Sequence, residues 1–359
     1  MGKTLNENLL AYNRYAGRKK LTLAISVIAM IFVALYAVGV GSIQIPMSEI
    51  VKVLCGGGDN LSRTTILNIR LPRVIAAILV GASLAAAGVV MQCVLRNPLA
   101  SASTLGVSQG AAFGAAFGIV VFGGGVVNSA TATSAITINN PYIVTLCAFV
   151  CGTFATAVII AISQFKKDVG PGGLILAGVA MSSLFAGGST LLQYFTDDTK
   201  LGAIVFWTFG NLGSTNWTEL LILACALTLS MLYFMFNRWN YNAMEAGADT
   251  AKSLGVNTRS VMLVSMGICS LLAATAVSFV GIISFVGLVA PHIMRRFVGN
   301  DYRYLLVASA FAGALLLILA DTVGRSVVAP VILPIGALTS FLGAPMFLFL
   351  LFKGVGRNG

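Results

Sequence analysis

The stretch RLPRVIAAILVGASLAAAGVVMQCVLRNPLASASTLGVSQGAAFGAA, residues 70–116, decides the fold of this chain. It holds two apolar runs rich in Gly and Ala, which meet at the polar hinge Arg96-Asn97-Pro98-Leu99. Small side chains let helix backbones approach closely in lipid, where no aqueous hydrophobic force presses helices together. Irregular backbone near membrane depth is tolerated only where protein buries it or where it lines a wet cavity. The stretch therefore predicts two helices enclosed by other helices, with a hinge beside a pathway.

The composition excludes a soluble globular protein. Hydrophobic residues make up 58% of the 359 residues and charged residues only 9%, whereas about a quarter of a typical soluble protein is charged. Apolar runs of about 20 residues, enough for a helix to cross a bilayer, recur along the chain. We predict an all-α integral membrane protein with ten transmembrane helices in a single domain, residues 1–359. The predicted spans are 21–41, 72–94, 104–124, 142–164, 174–195, 218–236, 260–279, 282–295, 304–321 and 334–352. Gly281, Gly287 and Pro291 make the eighth span short or broken.

The distribution of charge predicts the orientation in the membrane. With the N-terminus in the cytoplasm, most of the 22 Lys and Arg residues lie in cytoplasmic segments, including residues 1–20 and the loop 237–259. The positive-inside rule then favours an N-in and, with an even number of spans, C-in topology. The first apolar run is too long for a signal peptide, so we interpret it as an uncleaved span. Topology and anionic lipid account for the net charge of +11, and no nucleic acid partner is needed.

The chain contains no recognisable motif for ATP binding or for hydrolytic catalysis. The segment Gly247–Ser253 lacks the second glycine of a phosphate-binding Walker A loop. The cysteines show no CxxC spacing and His292 is the single histidine, so we predict no metal site and no cofactor. Asp321 is the best candidate for an ion-coupling acid, but Arg325 lies at i+4 and a local ion pair is the favoured interpretation. A partner ATPase, an ion-coupled secondary transporter and a scaffold protein all remain open at this point.

One cytoplasmic segment has the features of a docking helix. Residues 243–256, AMEAGADTAKSLGV, are mildly amphipathic, and Leu254-Gly255 is a typical helix end. We predict a single short helix held between two spans. A cleft in a partner protein could grip such a helix, whereas an ordinary surface helix at the membrane interface remains the alternative.

Several motifs, in order and without large gaps, resemble the FecCD family of type II ABC importer permeases, which take up iron chelates, haem or cobalamin. They are RLPR at 70–73, VGASLAAAGVVMQ at 80–92, RNPLA at 96–100, LGVSQGAA at 105–112, AKSLGV at 251–256, GIISFVGLVAPHIMR at 281–295, ADTVGR at 320–325 and LPIGALTSFLGAPMFLFLL at 333–351. The resemblance covers about residues 20–353. The chain departs from it at Ser101-Ala102-Ser103, where the family commonly has an acidic residue or proline, so the detail of the inner gate differs.

The resemblance implies a homodimer in the cytoplasmic (inner) membrane with one pathway at its two-fold axis. Two cytoplasmic ABC ATPase subunits would drive transport, and an extracytoplasmic binding protein would deliver the substrate, a ferric siderophore or alternatively haem or cobalamin.

The resemblance also implies roles for residues in four groups. Docking of the binding protein falls to Arg70, Arg73 and Arg325. The cytoplasmic gate comprises Asn97, Pro98, Leu99, Gly170 and Pro171, the last two within the loop Gln164–Gly173. The translocation path is lined by Ser182, Ser183, Ser189, Thr190 and Gln193. Coupling to the ATPase involves Glu245, Ala248, Ala251, Leu254, Gly255 and Val256. From the residues alone, the hydroxyls of the path could equally bond to their own helix, and Arg70 and Arg73 could be snorkelling side chains at a helix end.

Overall fold

Helices account for nearly all of the chain in a computed structural model, which describes residues 2–41, 45–123, 125–127, 136–138, 141–166, 170–328 and 331–355. The α-helices are α1 Gly2–Gly39, α2 Met47–Leu54, α3 Asn60–Thr64, α4 Leu71–Val94, α5 Val107–Val121, α6 Pro141–Phe165, α7 Pro171–Tyr194, α8 Asp198–Phe209, α9 Trp217–Phe236, α10 Arg238–Glu245, α11 Ala248–Ser253, α12 Thr258–Val280, α13 Val286–Val298, α14 Tyr302–Ser326 and α15 Ile335–Val355. A π-helical turn, Thr65–Arg70, leads directly into α4, and 3₁₀ turns occupy Ser103–Leu105 and Leu212–Ser214. The strands β1 Gly125–Val127 and β2 Ile136–Ile138 pair antiparallel between α5 and α6, a small addition to the predicted helical fold.

Seven helices of the described chain are long and apolar enough to cross a membrane. They are Gly17–Gly39, Asn60–Val94, Pro141–Phe165, Pro171–Tyr194, Trp217–Phe236, Thr258–Val280 and Tyr302–Ser326. Two of the other three predicted spans fall on the shorter apolar helices Val107–Val121 and Ile335–Phe349. The third falls on α13, which has 13 residues and carries Arg295 and Arg296 in its last turn. A helical membrane protein is therefore confirmed, whereas the number of ten crossings and the N-in orientation remain predictions.

The predicted interruption of the eighth span is present, but it is confined to the residues before α13. Residues 281–285 between α12 and α13 are not helical, and Gly281 adopts φ +79°. Pro291 does not interrupt the helix: it lies within α13, where it is buried. Phe285 takes the left-handed φ of +66°, which is rare for a bulky side chain. Its Cβ lies against the backbone of Gly343 in α15, where no larger side chain fits.

Helix α4 forms the centre of the bundle. Every residue from Val80 to Leu95 is buried, and α4 packs against α14, α13, α12 and α9. A methyl group on Gly81 would collide with the backbone of Gly313 in α14, and one on Gly88 would collide with the backbone of Gly287 in α13. These contacts confirm that the small residues of α4 serve close packing between helices.

A second layer is built from α5, α6 and α7. Helix α7 packs on α5 through Phe185 and Phe113, whose ring centroids lie 5.5 Å apart. The buried face of α7 carries Leu174, Gly178, Phe185 and Ser189. The opposite face is exposed along the whole helix, at Leu176, Val179, Leu184, Leu191 and Tyr194 among others. Among the described residues, one face of this long apolar helix thus has no packing partner.

Adding one methyl group at Gly81 tests the close packing of α4. We expect Gly81→Ala to lower the melting temperature of the detergent-solubilised protein, because overpacking in a core costs about 1–3 kcal/mol. Gly187→Ala in α7 is the matched control, since no atom lies within 4 Å of the added methyl and helix propensity favours Ala by about 1 kcal/mol. Thermal unfolding monitored by fluorescence gives both values; equal shifts for the two variants would contradict the packing argument.

Candidate functional site

A buried cluster of charges lies where α4 begins and α14 ends. Both carboxylate oxygens of Asp321 are engaged: Arg73 donates from Nε to Oδ1 at 2.8 Å, and Arg325 donates from Nε to Oδ2 at 2.9 Å. Asp321 is only 2% exposed. A buried carboxylate is stable only when it is paired and hydrogen-bonded, and here two guanidinium groups provide that pairing.

The same cluster holds the end of α1. Arg325 donates to the carbonyl of Val40 at 2.8 Å and to that of Ala37 at 3.0 Å. Arg70 donates from Nη1 to the carbonyls of Val38 and Gly39, both at 2.9 Å. The last carbonyls of a helix have no partner within the helix, and cations near them are favourable. The arginines therefore fix α1 to the bundle through its main chain.

These contacts change the interpretation of the predicted docking arginines. The ion pair between Asp321 and Arg325 at i, i+4 is confirmed, but Arg70, Arg73 and Arg325 are only 6%, 9% and 8% exposed. They are buried because internal carboxylate and carbonyl oxygens accept their hydrogen bonds. The predicted docking role of these arginines remains a prediction. Sequence analysis missed the Arg73–Asp321 pair, since 248 positions separate its members.

The polar hinge follows the other end of α4. Arg96 adopts a left-handed φ of +47°, and the side chain of Asn97 accepts a hydrogen bond from the backbone N–H of Leu99 at 2.8 Å. Such short Asn contacts replace the helical pattern and stabilise a turn. The hinge is therefore a defined turn that ends α4.

A cavity of about 420 Å³ opens beside this hinge. It is lined by Gln92, Cys93, Arg96, Asn97, Pro98, Met244, Glu245, Gly247, His292 and Arg295. Arg295 donates to Oε1 of Gln92 at 2.6 Å, which links α13 to the last turn of α4. His292 thus faces a polar cavity beside a cation. Among the described residues no group of three His, Cys, Asp or Glu side chains could hold a metal ion.

Only part of the predicted gate comes together at this cavity. Asn97 and Pro98 line it, whereas Leu99 is 41% exposed and lies outside the lining. Gly170 directly precedes α7 and Pro171 is its first residue, and both are also absent from the lining. Residues 167–169 of the predicted gate loop lie outside the described residues.

The predicted docking helix is two helices. The chain breaks at Gly247, whose φ of +128° suits glycine alone, so α10 ends at Glu245 and α11 begins at Ala248. The predicted end at Gly255 is confirmed: Gly255 N–H donates to the carbonyl of Lys252 and Val256 N–H donates to that of Ala251, both at 2.9 Å. This pair of bonds is the Schellman motif.

The remaining coupling residues, on α11 and directly after it, divide into buried and exposed positions. Ala251 is fully buried, and Ala248 and Val256 are half-buried. Leu254, by contrast, is 68% exposed. The helix therefore rests on the bundle through its small residues and presents one large apolar side chain.

Helix α10 is joined to the start of α14 by a set of hydrogen bonds that sequence analysis missed. Asn300 and the hydroxyl of Tyr302 donate to Glu245 at 2.9 and 3.2 Å, and the backbone N–H of Tyr302 donates to Asn242 at 2.8 Å. Tyr241 is buried beside them, and burial raises its pKa, so the phenol stays neutral and shares a 2.9 Å hydrogen bond with Ser265. The loop is thus firmly attached to the helices near the hinge.

The hydroxyls predicted to line the path bond to their own helix. Oγ of Ser182 donates to the carbonyl of Gly178, that of Ser183 to Val179 and that of Ser189 to Phe185; Oγ1 of Thr190 donates to Ala186, at distances of 2.9–3.1 Å. Ser183 and Thr190 lie on the exposed face of α7, Ser182 and Gln193 are half-buried, and Ser189 is buried. The donors of these four hydroxyls are therefore engaged within α7.

Comparison with known proteins gives a consistent result along the chain. The profile of the FecCD transport family matches residues 28–353. An ABC transporter permease protein of Methanocaldococcus jannaschii is 50% identical over 95% of this chain and 97% of its own length. A permease of the Fe(3+)-citrate import system of Bacillus subtilis is 36% identical over 93% of this chain and 96% of its own.

A solved structure shows the same architecture. A metal-chelate type ABC transporter in an inward-facing conformation superposes with a TM-score of 0.80 at 31% identity, covering 92% of this chain and 98% of that one. The family match over residues 28–353 spans the charged cluster, the hinge and the loop between α9 and α12.

Removing the shared carboxylate tests the charged cluster. We expect Asp321→Asn to destabilise the protein by about 3–5 kcal/mol, because two buried guanidinium groups lose their counter-charge. Thermal unfolding in detergent measures the change. Asp249→Asn is the control, since Asp249 is 99% exposed in its pair with Lys252, and we expect no measurable shift. A stable Asp321→Asn variant would show that the cluster is not needed for the fold.

Proposed function

Because this chain belongs to the FecCD transport family, a family of multi-pass permeases of the cytoplasmic membrane, we propose that it is the permease of an ABC importer for a ferric siderophore. The observation that carries the proposal is the family match over residues 28–353. Relatives named for Fe(3+)-citrate import and metal chelates support an iron chelate as the cargo. Transport would be inward across ten spans in the N-in, C-in orientation.

The proposed pathway lies between two copies of the chain. The exposed face of α7 is long, apolar and free of charge, which suits contact with a second copy. The hydroxyls of Ser183 and Thr190 on this face are already satisfied by α7 itself. A wall of this kind binds weakly, so a bulky chelate can move along it.

Energy would come from two cytoplasmic ATPase subunits that contact the loop 237–259. In this loop Ala251 anchors α11 in the bundle, and the exposed Leu254 faces outward. The bonds from Asn300 and Tyr302 to Glu245 would carry a displacement of the loop towards the hinge at Asn97, Pro98 and Leu99. Gly170 and Pro171 would complete that gate from α7.

An extracytoplasmic binding protein would dock at the end of the bundle that holds Asp321. Burial of Arg70, Arg73 and Arg325 supports an indirect contribution, in which the arginines hold the docking surface in shape. A haem or cobalamin cargo is the alternative within the family. An ion-coupled carrier is disfavoured, because both oxygens of Asp321 are engaged by guanidinium groups.

Purification of the tagged permease from its native membrane tests the assignment. We expect an ATPase subunit and a binding protein to co-purify and the complex to hydrolyse ATP. The binding protein is then screened against siderophores, haem and cobalamin. Solute movement by the permease alone in ATP-free proteoliposomes under a proton gradient would instead establish a secondary carrier.

The contact with the ATPase is tested at Leu254. We expect Leu254→Asp to reduce substrate-stimulated ATP hydrolysis of the reconstituted complex about tenfold, since a charge in an apolar contact costs more than 1.4 kcal/mol. Leu254→Met is the control, because it keeps the size and apolar character of the side chain. Unaltered stimulation in the Asp variant, with normal expression, would remove α11 from the coupling interface.

A further inference from the structure

A second cavity, of about 340 Å³, lies beside the charged cluster within a single copy of the chain. Its walls come from α8, the turn after it, the end of α12 and the segment before α15. Phe206, Trp207, Phe209 and Phe279 line it, together with Arg73, Asn211 and Ser214. Phe206 and Phe209 stand edge to face with centroids 6.1 Å apart. The cavity therefore combines an aromatic wall with one cationic group.

Only one of the three guanidinium nitrogens of Arg73 has a hydrogen-bond partner among the described residues. Its Nε is bonded to Asp321, while neither of its η nitrogens has a hydrogen-bond partner among the described residues. The side chain is 10% exposed, and it lines the cavity. Both η nitrogens therefore remain available to an acceptor that enters the cavity, and hydrogen bonds from a guanidinium to an anion are among the stronger ones.

The charges around the cavity also favour an anion. The cluster brings the guanidinium groups of Arg73 and Arg325 together with a single carboxylate, that of Asp321. Arg325 directs both η nitrogens to main-chain carbonyls of α1. Of these two arginines, Arg73 is the one that lines the cavity, so a ligand in the cavity can reach the excess positive charge through Arg73.

We propose that this cavity binds an anionic aromatic arm of the transported chelate, of the catecholate or benzoate class. The carboxylate or phenolate accepts hydrogen bonds from the η nitrogens of Arg73, and the ring packs on Trp207 and its neighbouring phenylalanines. Contacts between aromatic rings stabilise binding by more than the buried area alone accounts for. A guanidinium group can donate two parallel hydrogen bonds to a carboxylate. The volume exceeds what one carboxylate side chain of a docking protein fills. The identity of the ligand rests on the proposed function, whereas the anion-binding edge does not.

Binding of 2,3-dihydroxybenzoate to the full-length protein in phosphatidylcholine nanodiscs tests the site. Trp217→Phe and Trp239→Phe leave Trp207 as the single tryptophan of the three, so quenching of its fluorescence reports occupancy. We expect saturable quenching by the benzoate and much weaker quenching by neutral 2,3-dihydroxybenzamide. Equal binding of the two compounds, or no saturation, would overturn the proposal.

Ser214 provides a variant that leaves the ion pairs intact. It follows Gly213, where an added methyl would lie 2.9 Å from Nη1 of Arg73, and it is exposed. We expect Ser214→Glu to bind the benzoate at least about tenfold more weakly than Ser214→Gln, which has the same size without the charge. Thr64→Glu places the same charge on exposed α3, away from the cavity, and should bind like the parent protein. Equal affinities of the Glu and Gln variants at 214 would overturn the proposal.

Two further outcomes separate this site from the proposed function. A complex that hydrolyses ATP and imports an iron chelate, yet shows no binding of the benzoate, would overturn the site alone. Loss of binding-protein docking in Ser214→Glu without benzoate binding would also overturn it, since the occupant would then be an acidic side chain of that protein. Benzoate binding without import of any iron chelate would reject the chelate as the ligand and the proposed cargo together.

Discussion

Direct contact between helix backbones along α4 is the constraint on which the rest of the structure depends. Lipid exerts no hydrophobic pressure on helices, so their association rests on close packing. Gly81 against Gly313 and Gly88 against Gly287 give that packing at two levels of α4. Helix α4 is buried on all sides from Val80 to Leu95, so the surrounding helices hold it in place. It has 24 residues and is about 36 Å long at 1.5 Å per residue.

The charged side chains around α4 are concentrated at its two ends. One end meets the guanidinium groups around Asp321, and the other meets Gln92, Arg295 and the hinge. Between these ends the described helices carry few charges, and the hydroxyls of α7 are satisfied locally. Such a division allows ligands and partners to be held at the ends while the middle offers no strong site in which a cargo would be trapped.

The sequence predicted those features that depend on composition and local spacing. The helical membrane fold, the small-residue packing of α4, the Asp321–Arg325 pair and the helix end at Gly255 all follow from residues a few positions apart. Features set by distant parts of the chain were missed. The Arg73–Asp321 pair, the bonds from α14 to Glu245 and the burial of the arginines depend on which helices become neighbours. The break at Gly247 was also missed, because a lone glycine within an apolar pattern is compatible with either one helix or two.

The attachment of α1 has a consequence for its helical phase. The arginines bind the carbonyl oxygens of residues 37–40, and carbonyl groups are present whatever side chains follow. These hydrogen bonds depend on the rotation of α1 and on its position along its axis, since one inserted residue turns a helix by about 100° and advances it by 1.5 Å. A helix with only 11% of its apolar window buried is thus held in register by its main chain. The identity of its lipid-facing side chains is free to drift, while an insertion or deletion within residues 37–40 would displace the carbonyls from the arginines.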